Sequence, residues 1–144
     1  GFIASDAPDD AFSEAVLVDW EAKRLPLDVL IEVHLRTHAS TSPHTMRGKY
    51  RSALYVMDAV QADACAAALA RLQPGFDAPL ITRVLPFRAF QPSDARFQNY
   101  YATDPERPFC RTYIEPKLAM LRRRYGASLV SPAASSGDET TRAR

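Results

Sequence analysis

Residues 48–57, Gly-Lys-Tyr-Arg-Ser-Ala-Leu-Tyr-Val-Met, constrain the fold most strongly, because their side chains alternate with the two-residue period of a strand. The two faces of this segment carry Tyr50, Ser52, Leu54 and Val56 on one side and Arg51, Ala53, Tyr55 and Met57 on the other. A polar loop precedes the segment and an Ala-rich stretch follows it, so we predict a central strand. Tyr50 lies where the loop enters the strand. Its hydroxyl is either the satisfied polar end of a core aromatic or a donor aimed at the end of the sheet.

Two segments have apolar residues at helical spacing. One helix is predicted from Pro26 to about residue 38 and a second over residues 60–72. His34 and His38 are one helical turn apart and could share a metal ion. No Cys or carboxylate pattern completes such a site, so we expect a surface or core histidine pair and no metal. Cys65 lies in the apolar stripe of the second helix, which favours a small buried side chain over a reactive thiol.

The remaining elements complete an alternating order. We predict strands over residues 13–20 and 80–85, a short helix over residues 92–101 and a last helix over residues 116–126. Strands that alternate with helices in so short a chain predict an α/β fold, a two-layer sandwich with a loop-rich C-terminal third. We expect one domain over residues 1–126 and a disordered tail over residues 127–144.

Glu14 is a carboxylate in line with an apolar row of the predicted strand 13–20, a row that continues through Val16, Val18 and Trp20. If that face is buried, loss of water from the carboxyl would favour its protonated form, as a proton donor requires. The alternative is that Glu14 lies at the end of the strand and reaches solvent.

Composition excludes several classes of protein. The chain has 144 residues, of which 47% are hydrophobic, and its net charge is +1. This balance predicts a globular domain with no strong attraction to nucleic acid or anionic lipid. Because the net charge is near zero, we interpret the arginines at 122–124 as a solvated helix end. No apolar run reaches the ~18–20 residues needed to cross a membrane. Two cysteines do not form a disulfide framework, so we expect a reducing, cytoplasmic location.

Several segments, taken in order, resemble the type A peptide methionine sulfoxide reductases over about residues 13–124. Ser-Glu-Ala-Val at 13–16 is similar to the family's Gly-His-Ala-Glu-x-Val, and Gly-Lys-Tyr-Arg-Ser-Ala-Leu-Tyr at 48–55 to its Gly-x-x-Tyr-Arg-Ser-Ala-Ile-Tyr. The family's Ile-Thr and Phe-x-x-Ala-Glu-x-x-His-Gln-x-Tyr segments correspond to residues 81–82 and 90–100. Pro-Phe-Cys at 108–110, followed by Ile-Glu-Pro-Lys, resembles a Pro-Tyr-Cys ending of many bacterial members.

The resemblance implies a ferredoxin-like core and a thiol enzyme of protein repair under oxidative stress, which reduces the S epimer of methionine sulfoxide, free or in proteins, without a cofactor. Glu14 would protonate the leaving oxygen, and Tyr50 would donate a second hydrogen bond to it. Phe2, Tyr50 and Tyr55 would form the pocket walls. Cys110 would resolve the sulfenic acid, with a thioredoxin-like protein as reductant. Two alternatives stay open for Cys110: a buried structural residue, or direct recycling of the nucleophile by an external thiol.

The departures from the family pattern are also specific. The family's nucleophilic Cys lies in a Gly-Cys-Phe-Trp segment, which is expected before Gly1, and neither Cys65 nor Cys110 simply replaces it. Phe2 stands where the family has Tyr, Thr45 near its Asp and Phe97 at its His. We therefore expect a divergent bacterial branch, and we expect the 144-residue chain to be inactive alone. The alternative is a non-catalytic module that binds a methionine-like side chain on the same fold.

Overall fold

The computed structural model describes residues 1–4, 13–43 and 50–126 of the chain. The strands and helices are β1 (Phe2–Ala4), β2 (Ser13–Glu14), α1 (Leu27–Thr37), β3 (Ala53–Val56), α2 (Ala59–Leu72), β4 (Arg83–Pro86), β5 (Ala89–Gln91), α3 (Tyr100–Thr103) and α4 (Glu115–Tyr125). Thr45, the first two residues of the predicted central strand and the predicted tail at 127–144 lie outside the described residues.

A parallel pair of strands, β3 and β4, forms the centre of the fold. Their register runs from Ala53 opposite Arg83 to Val56 opposite Pro86. The crossover between them contains α2, as a parallel connection requires. Asp58 caps this helix by accepting a hydrogen bond from the Gln61 amide at 2.7 Å, which satisfies one of the free donors of the first turn.

Helices α1 and α2 cover one face of the β3–β4 sheet and bury the main apolar core. The buried members of this core are Ile31, Leu35, Val56, Cys65 and Ala68. The two helices and the α/β fold class are therefore confirmed, as is the burial of Cys65, which is 8% exposed. Within β3 the predicted alternation also holds, since Val56 packs in this core while Ala53 packs with Leu85 and Tyr55 in a separate cluster.

A second, antiparallel sheet has the strand order β2-β1-β5. Its central strand places Phe2 between Glu14 and Gln91, and Ile3 between Ser13 and Phe90. Neither β1 nor β5 was predicted, because a strand of three residues is too short to show a period in the sequence.

The predicted strand over residues 13–20 is wrong beyond its first two residues. Only Ser13 and Glu14 pair with another strand, and Val16 is 84% exposed while Trp20 is 39% exposed. Alternating side chains form a strand only where a neighbour accepts the backbone hydrogen bonds, and the described residues provide none beyond Ala15. The predicted central strand is likewise shortened to Ala53–Val56.

The C-terminal third was predicted to be loop-rich, but its described part is mostly helical, with an unbroken run of helical residues from 108 to 126. The helix predicted over residues 92–101 is divided into a 3₁₀ turn (Ala95–Phe97) and α3, separated by Asn99 in the left-handed conformation with φ of 52°. A π turn (Cys110–Ile114) leads directly into α4. None of the residues of α4 is fully buried. None of the helices in the described parts of the chain is long and apolar enough to cross a membrane.

The core predicts a clear contrast between two substitutions. Leu35 is 1% exposed and Val60 is 78% exposed. Leu35→Ala should lower the free energy of unfolding by about 2–5 kcal/mol, because it leaves a cavity between α1 and its neighbours. Val60→Ala should change it by less than about 0.5 kcal/mol. Urea unfolding of both variants checks this, and equal losses would contradict the assignment of the core.

Candidate functional site

A broad apolar groove of about 1190 Å³ lies between the two sheets and α1. It is lined by β1 and β2, by the extended segment after β2, and by parts of α1, β3 and α2. Most of its walls are aliphatic or aromatic, and a few polar side chains converge on it. Four of the five residues predicted for the site line this groove: Phe2, Glu14, Tyr50 and Tyr55.

Glu14 is positioned by strand pairing. Phe2 lies directly opposite Glu14 in the antiparallel register, so the two side chains emerge on the same face of the sheet. Beyond this pair, the backbones of Gly1 and Ala15 exchange two hydrogen bonds, each of 3.0 Å. A side chain at Gly1 would not fit, since a Cβ there would lie 2.6 Å from the Gln91 carbonyl oxygen. Glu14 itself is exposed, so the burial that favours its protonated form is not present here.

Ser13 joins the antiparallel sheet to the central strand. Its side chain is fully buried, and its hydroxyl oxygen accepts a hydrogen bond from the Arg51 amide at 3.0 Å. This contact brings the end of β2 beside the residues that lead into β3. Sequence reasoning missed this role of Ser13, because a serine in a strand gives no signal of a partner 38 residues away.

Tyr55 contributes a buried hydroxyl to the groove. Its ring packs with Ala53 and Leu85. Its hydroxyl is inaccessible to solvent and has no hydrogen-bond partner among the described residues. A buried polar group without a partner is costly in a folded protein. The sequence indicated Tyr55 only as a wall of the pocket and did not predict its buried hydroxyl without a partner.

Tyr50 lies just before β3 and is half-buried. It borders the same groove as Tyr55 and Glu14. Tyr50 was predicted at the start of the central strand, but β3 begins only at Ala53, so Tyr50 lies three residues before it. A tyrosine that lines a groove suits a binding role as well as a packing one.

His34 also lines the groove, on the side formed by α1. Its Nε2 atom is buried without a hydrogen-bond partner among the described residues, and its ring stacks on His38 with centroids 5.1 Å apart. Burial lowers the pKa of His34 from its ordinary value of 6.5 because the charged form loses water. The described residues contain no group of three side chains that could hold a metal ion.

Neither thiol of the chain is placed for attack on a ligand in the groove. Cys65 borders the groove but lies in the middle of α2, and burial raises the pKa of its thiol. Cys110 is fully buried in the π turn and is not among the residues that line the groove. The structure therefore does not bring Cys110 together with the other four predicted site residues.

The family model described as peptide methionine sulfoxide reductase matches residues 6–129. The chain belongs to the peptide methionine sulfoxide reductase family. A relative from Chromobacterium violaceum, peptide methionine sulfoxide reductase MsrA, is 31% identical over 123 residues, which cover 81% of this chain and 70% of the relative. The enzyme of the same name from Thermus thermophilus is 32% identical over 123 residues, which cover 83% of this chain and 69% of the relative.

A solved structure supports the fold of this sulfoxide reductase family member. The crystal structure of Mxr1 from Saccharomyces cerevisiae in an unusual oxidised form is similar with a TM-score of 0.56 and 21% identity. The match covers 73% of this chain and 64% of that one. The predicted family, the α/β fold and the enzyme class, an oxidoreductase that reduces methionine sulfoxide, are therefore confirmed, and no finding favours the binding-module alternative.

The buried His34 of this reductase predicts a pH-dependent stability. Because its pKa is lower in the folded protein, the unfolded chain takes up the proton first as the pH falls. The free energy of unfolding should then decrease below about pH 6.5. His34→Leu should remove this part of the decrease. Urea unfolding between about pH 7.5 and pH 5 checks it, and an unchanged slope in His34→Leu would contradict a buried neutral histidine.

Proposed function

We propose that the groove binds the side chain of methionine-(S)-sulfoxide, in peptides or as the free amino acid, and that the protein reduces it by thiol chemistry. The observation that carries the proposal is the convergence of a carboxyl, two tyrosines and a phenylalanine on one apolar groove: Glu14, Tyr50, Tyr55 and Phe2. Ligand sites of this kind have apolar walls and a few convergent polar groups. The side chain of methionine sulfoxide has an apolar part, which matches the walls, and a polar S–O group, which matches the polar side chains.

Glu14 is the proton donor in this proposal. Reduction of a sulfoxide needs a nucleophile at sulfur and a proton on the leaving oxygen. Glu14 lines the groove and is exposed. A sulfoxide placed between Glu14 and Phe2 would displace water from the carboxyl and favour its neutral form, which can donate the proton. Pairing with Phe2 in β1 fixes the backbone of Glu14 beside the groove.

The two tyrosines hold the sulfoxide oxygen. The buried Tyr55 hydroxyl has no partner in the described structure, so a bound sulfoxide oxygen would satisfy a donor that is otherwise unpaired. Tyr50, at the entrance to β3, donates the second hydrogen bond. Donors that are already in place when charge develops on the oxygen stabilise the transition state without reorganisation.

The attacking thiolate is supplied, in this proposal, by a cysteine other than the two in these 144 residues. Cys65 borders the groove, but burial raises the pKa of its thiol and so disfavours the thiolate. Cys110 does not line the groove. Attack by this other thiolate on the sulfoxide sulfur transfers the oxygen to the thiol as a sulfenic acid and releases the thioether. A second thiol then condenses with the sulfenic acid, which forms a disulfide and releases water. Cys110 is the candidate for this second thiol, once it becomes accessible.

A dithiol protein of the thioredoxin type is the proposed reductant. It would return the disulfide to two thiols by thiol–disulfide exchange and become oxidised itself. Both cysteines of the chain are free, which agrees with a reducing compartment, and we propose the cytoplasm as the location of the reaction.

The placement of the thiols predicts that the 144-residue chain does not turn over a methionine-(S)-sulfoxide peptide with dithiothreitol as reductant. Chromatographic separation of the sulfoxide and thioether forms of the peptide measures this. Turnover that disappears in Cys65→Ser or Cys110→Ser would contradict the assignment, because it would identify one of these thiols as the nucleophile.

Tyr55→Phe should change stability and binding in opposite directions. Removal of a buried hydroxyl without a partner should raise the free energy of unfolding by about 1 kcal/mol. The same change should weaken binding of an N-acetyl-methionine-(S)-sulfoxide amide roughly fivefold and leave binding of the thioether unchanged. Calorimetric titration with both ligands, with Tyr113→Phe as the exposed control, checks the prediction. Equal effects on sulfoxide and thioether would contradict a role of Tyr55 at the oxygen.

A further inference from the structure

Glu32 of α1 accepts hydrogen bonds from arginines of two different helices. Its Oε1 atom lies 2.8 Å from Nε of Arg36 in α1 and 2.7 Å from a terminal nitrogen of Arg124 in α4. The Glu32 side chain is only 15% exposed. Its pKa is lowered from the ordinary value: partial burial acts against this, but the hydrogen bonds from Arg36 and Arg124 outweigh it. We call the contact between Glu32 and Arg124 the α1–α4 clamp.

The clamp holds the last turn of α4, whereas at the first turn the Tyr101 hydroxyl of α3 donates a hydrogen bond to Glu115. None of the residues of α4 is fully buried, so apolar packing alone anchors this helix weakly. Arg124 is in the last turn of α4, 92 residues from Glu32. The clamp therefore ties the last turn of α4 to α1.

The segment that the clamp holds contains Cys110. The π turn (Cys110–Ile114) continues into α4 without a break, so a movement of α4 displaces the turn. Cys110 is fully buried while its neighbours Phe109 and Tyr113 are 54% and 58% exposed. Cys110 also belongs to neither of the apolar clusters of the described residues. π turns inside helices often accompany functional sites.

We propose that Glu32 is a positioning residue that keeps the Cys110 thiol covered through its contact with Arg124. Release of the clamp lets α4 and the π turn swing away, and the thiol becomes accessible to another thiol or a disulfide. The covering of Cys110 rests on its burial and on the continuity of the π turn with α4. Its use in catalysis rests on the proposed function, in which Cys110 resolves the sulfenic acid.

The roles of the two arginines that contact Glu32 can be distinguished by mutation. Arg36 contacts the Gly75 carbonyl at 3.5 Å and lies 4.8 Å over the Phe76 ring, so it links α1 to the turn after α2. Arg124 alone of the two reaches across from α4. Asp28, one turn before Glu32, forms an exposed pair with Arg71 of α2 at 2.7 Å and provides a matched carboxylate that does not contact α4.

The test is the rate at which 5,5′-dithiobis(2-nitrobenzoate) modifies each cysteine of the 144-residue chain. A thiolate attacks the reagent's disulfide, forms a mixed disulfide and releases one thionitrobenzoate, and peptide mass spectrometry assigns the product to Cys65 or Cys110. We expect Glu32→Gln and Arg124→Gln to accelerate modification of Cys110 roughly tenfold, because each removes a charge-assisted hydrogen bond of the clamp. The conservative Arg124→Lys should restore part of the protection.

Two controls make the result specific. Asp28→Asn and Arg36→Gln should leave the Cys110 rate close to that of the wild type, and no variant should change the Cys65 rate. Raising the salt concentration to about 1 M should accelerate the modification of Cys110 in the wild type, because salt screens an ion pair that is partly exposed. It should not accelerate this modification in Arg124→Gln, which lacks the ion pair.

Either of two outcomes would overturn the proposal. One is a Cys110 rate in Glu32→Gln and Arg124→Gln no faster than in Asp28→Asn. The other is a parallel acceleration of Cys65 and Cys110, which would show global unfolding rather than opening at α4. The experiment uses no sulfoxide, so its result is independent of the proposed catalytic function.

Discussion

The hydrogen bond from the Arg51 amide to the buried Ser13 hydroxyl links the two halves of the candidate site. On one side of it, the antiparallel sheet presents Glu14 opposite Phe2. On the other side, the chain passes Tyr50 and enters β3, which presents Tyr55. Buried hydrogen bonds of this kind tolerate little displacement, because an unpaired group in the interior costs about 1–3 kcal/mol. The carboxyl and the two phenols are therefore held at one groove although they come from segments some 40 residues apart.

The helical part of the fold could be predicted from sequence, and most of the sheet could not. Helices α1 and α2 bury stripes with a clear period, such as Ile31 and Leu35, and this period is visible without knowledge of the partner. Strand pairing is a long-range property. The alternation of Val16, Val18 and Trp20 is as regular as that of β3, yet these residues are exposed and unpaired within the described parts of the chain. The sequence contains the pattern of a strand but no information on whether a neighbour is present.

The candidate site could likewise be predicted only in part from the sequence. Four of its residues were identified by resemblance, and the structure brings them to one groove. The partnerless hydroxyl of Tyr55, the buried Nε2 of His34 and the joining role of Ser13 were not predictable, since each depends on which atoms lie nearby in three dimensions. Cys110 shows the limit of motif reasoning most directly. Its Pro-Phe-Cys context indicated a loop thiol, but the π turn buries it outside the groove.

The central claim is that the groove between Glu14 and Tyr55 binds the sulfoxide oxygen. Titration of the isotopically labelled chain with an N-acetyl-methionine-(S)-sulfoxide amide, followed by ¹H–¹⁵N correlation spectra, tests it most directly. The amide signals of Phe2, Glu14, Ala15 and Tyr55 should shift together, and the thioether should shift them much less. In Glu14→Ala the distinction between sulfoxide and thioether should be reduced. Shifts confined to the α3–α4 region, or identical responses to the two ligands, would contradict the assignment of this groove as the sulfoxide site.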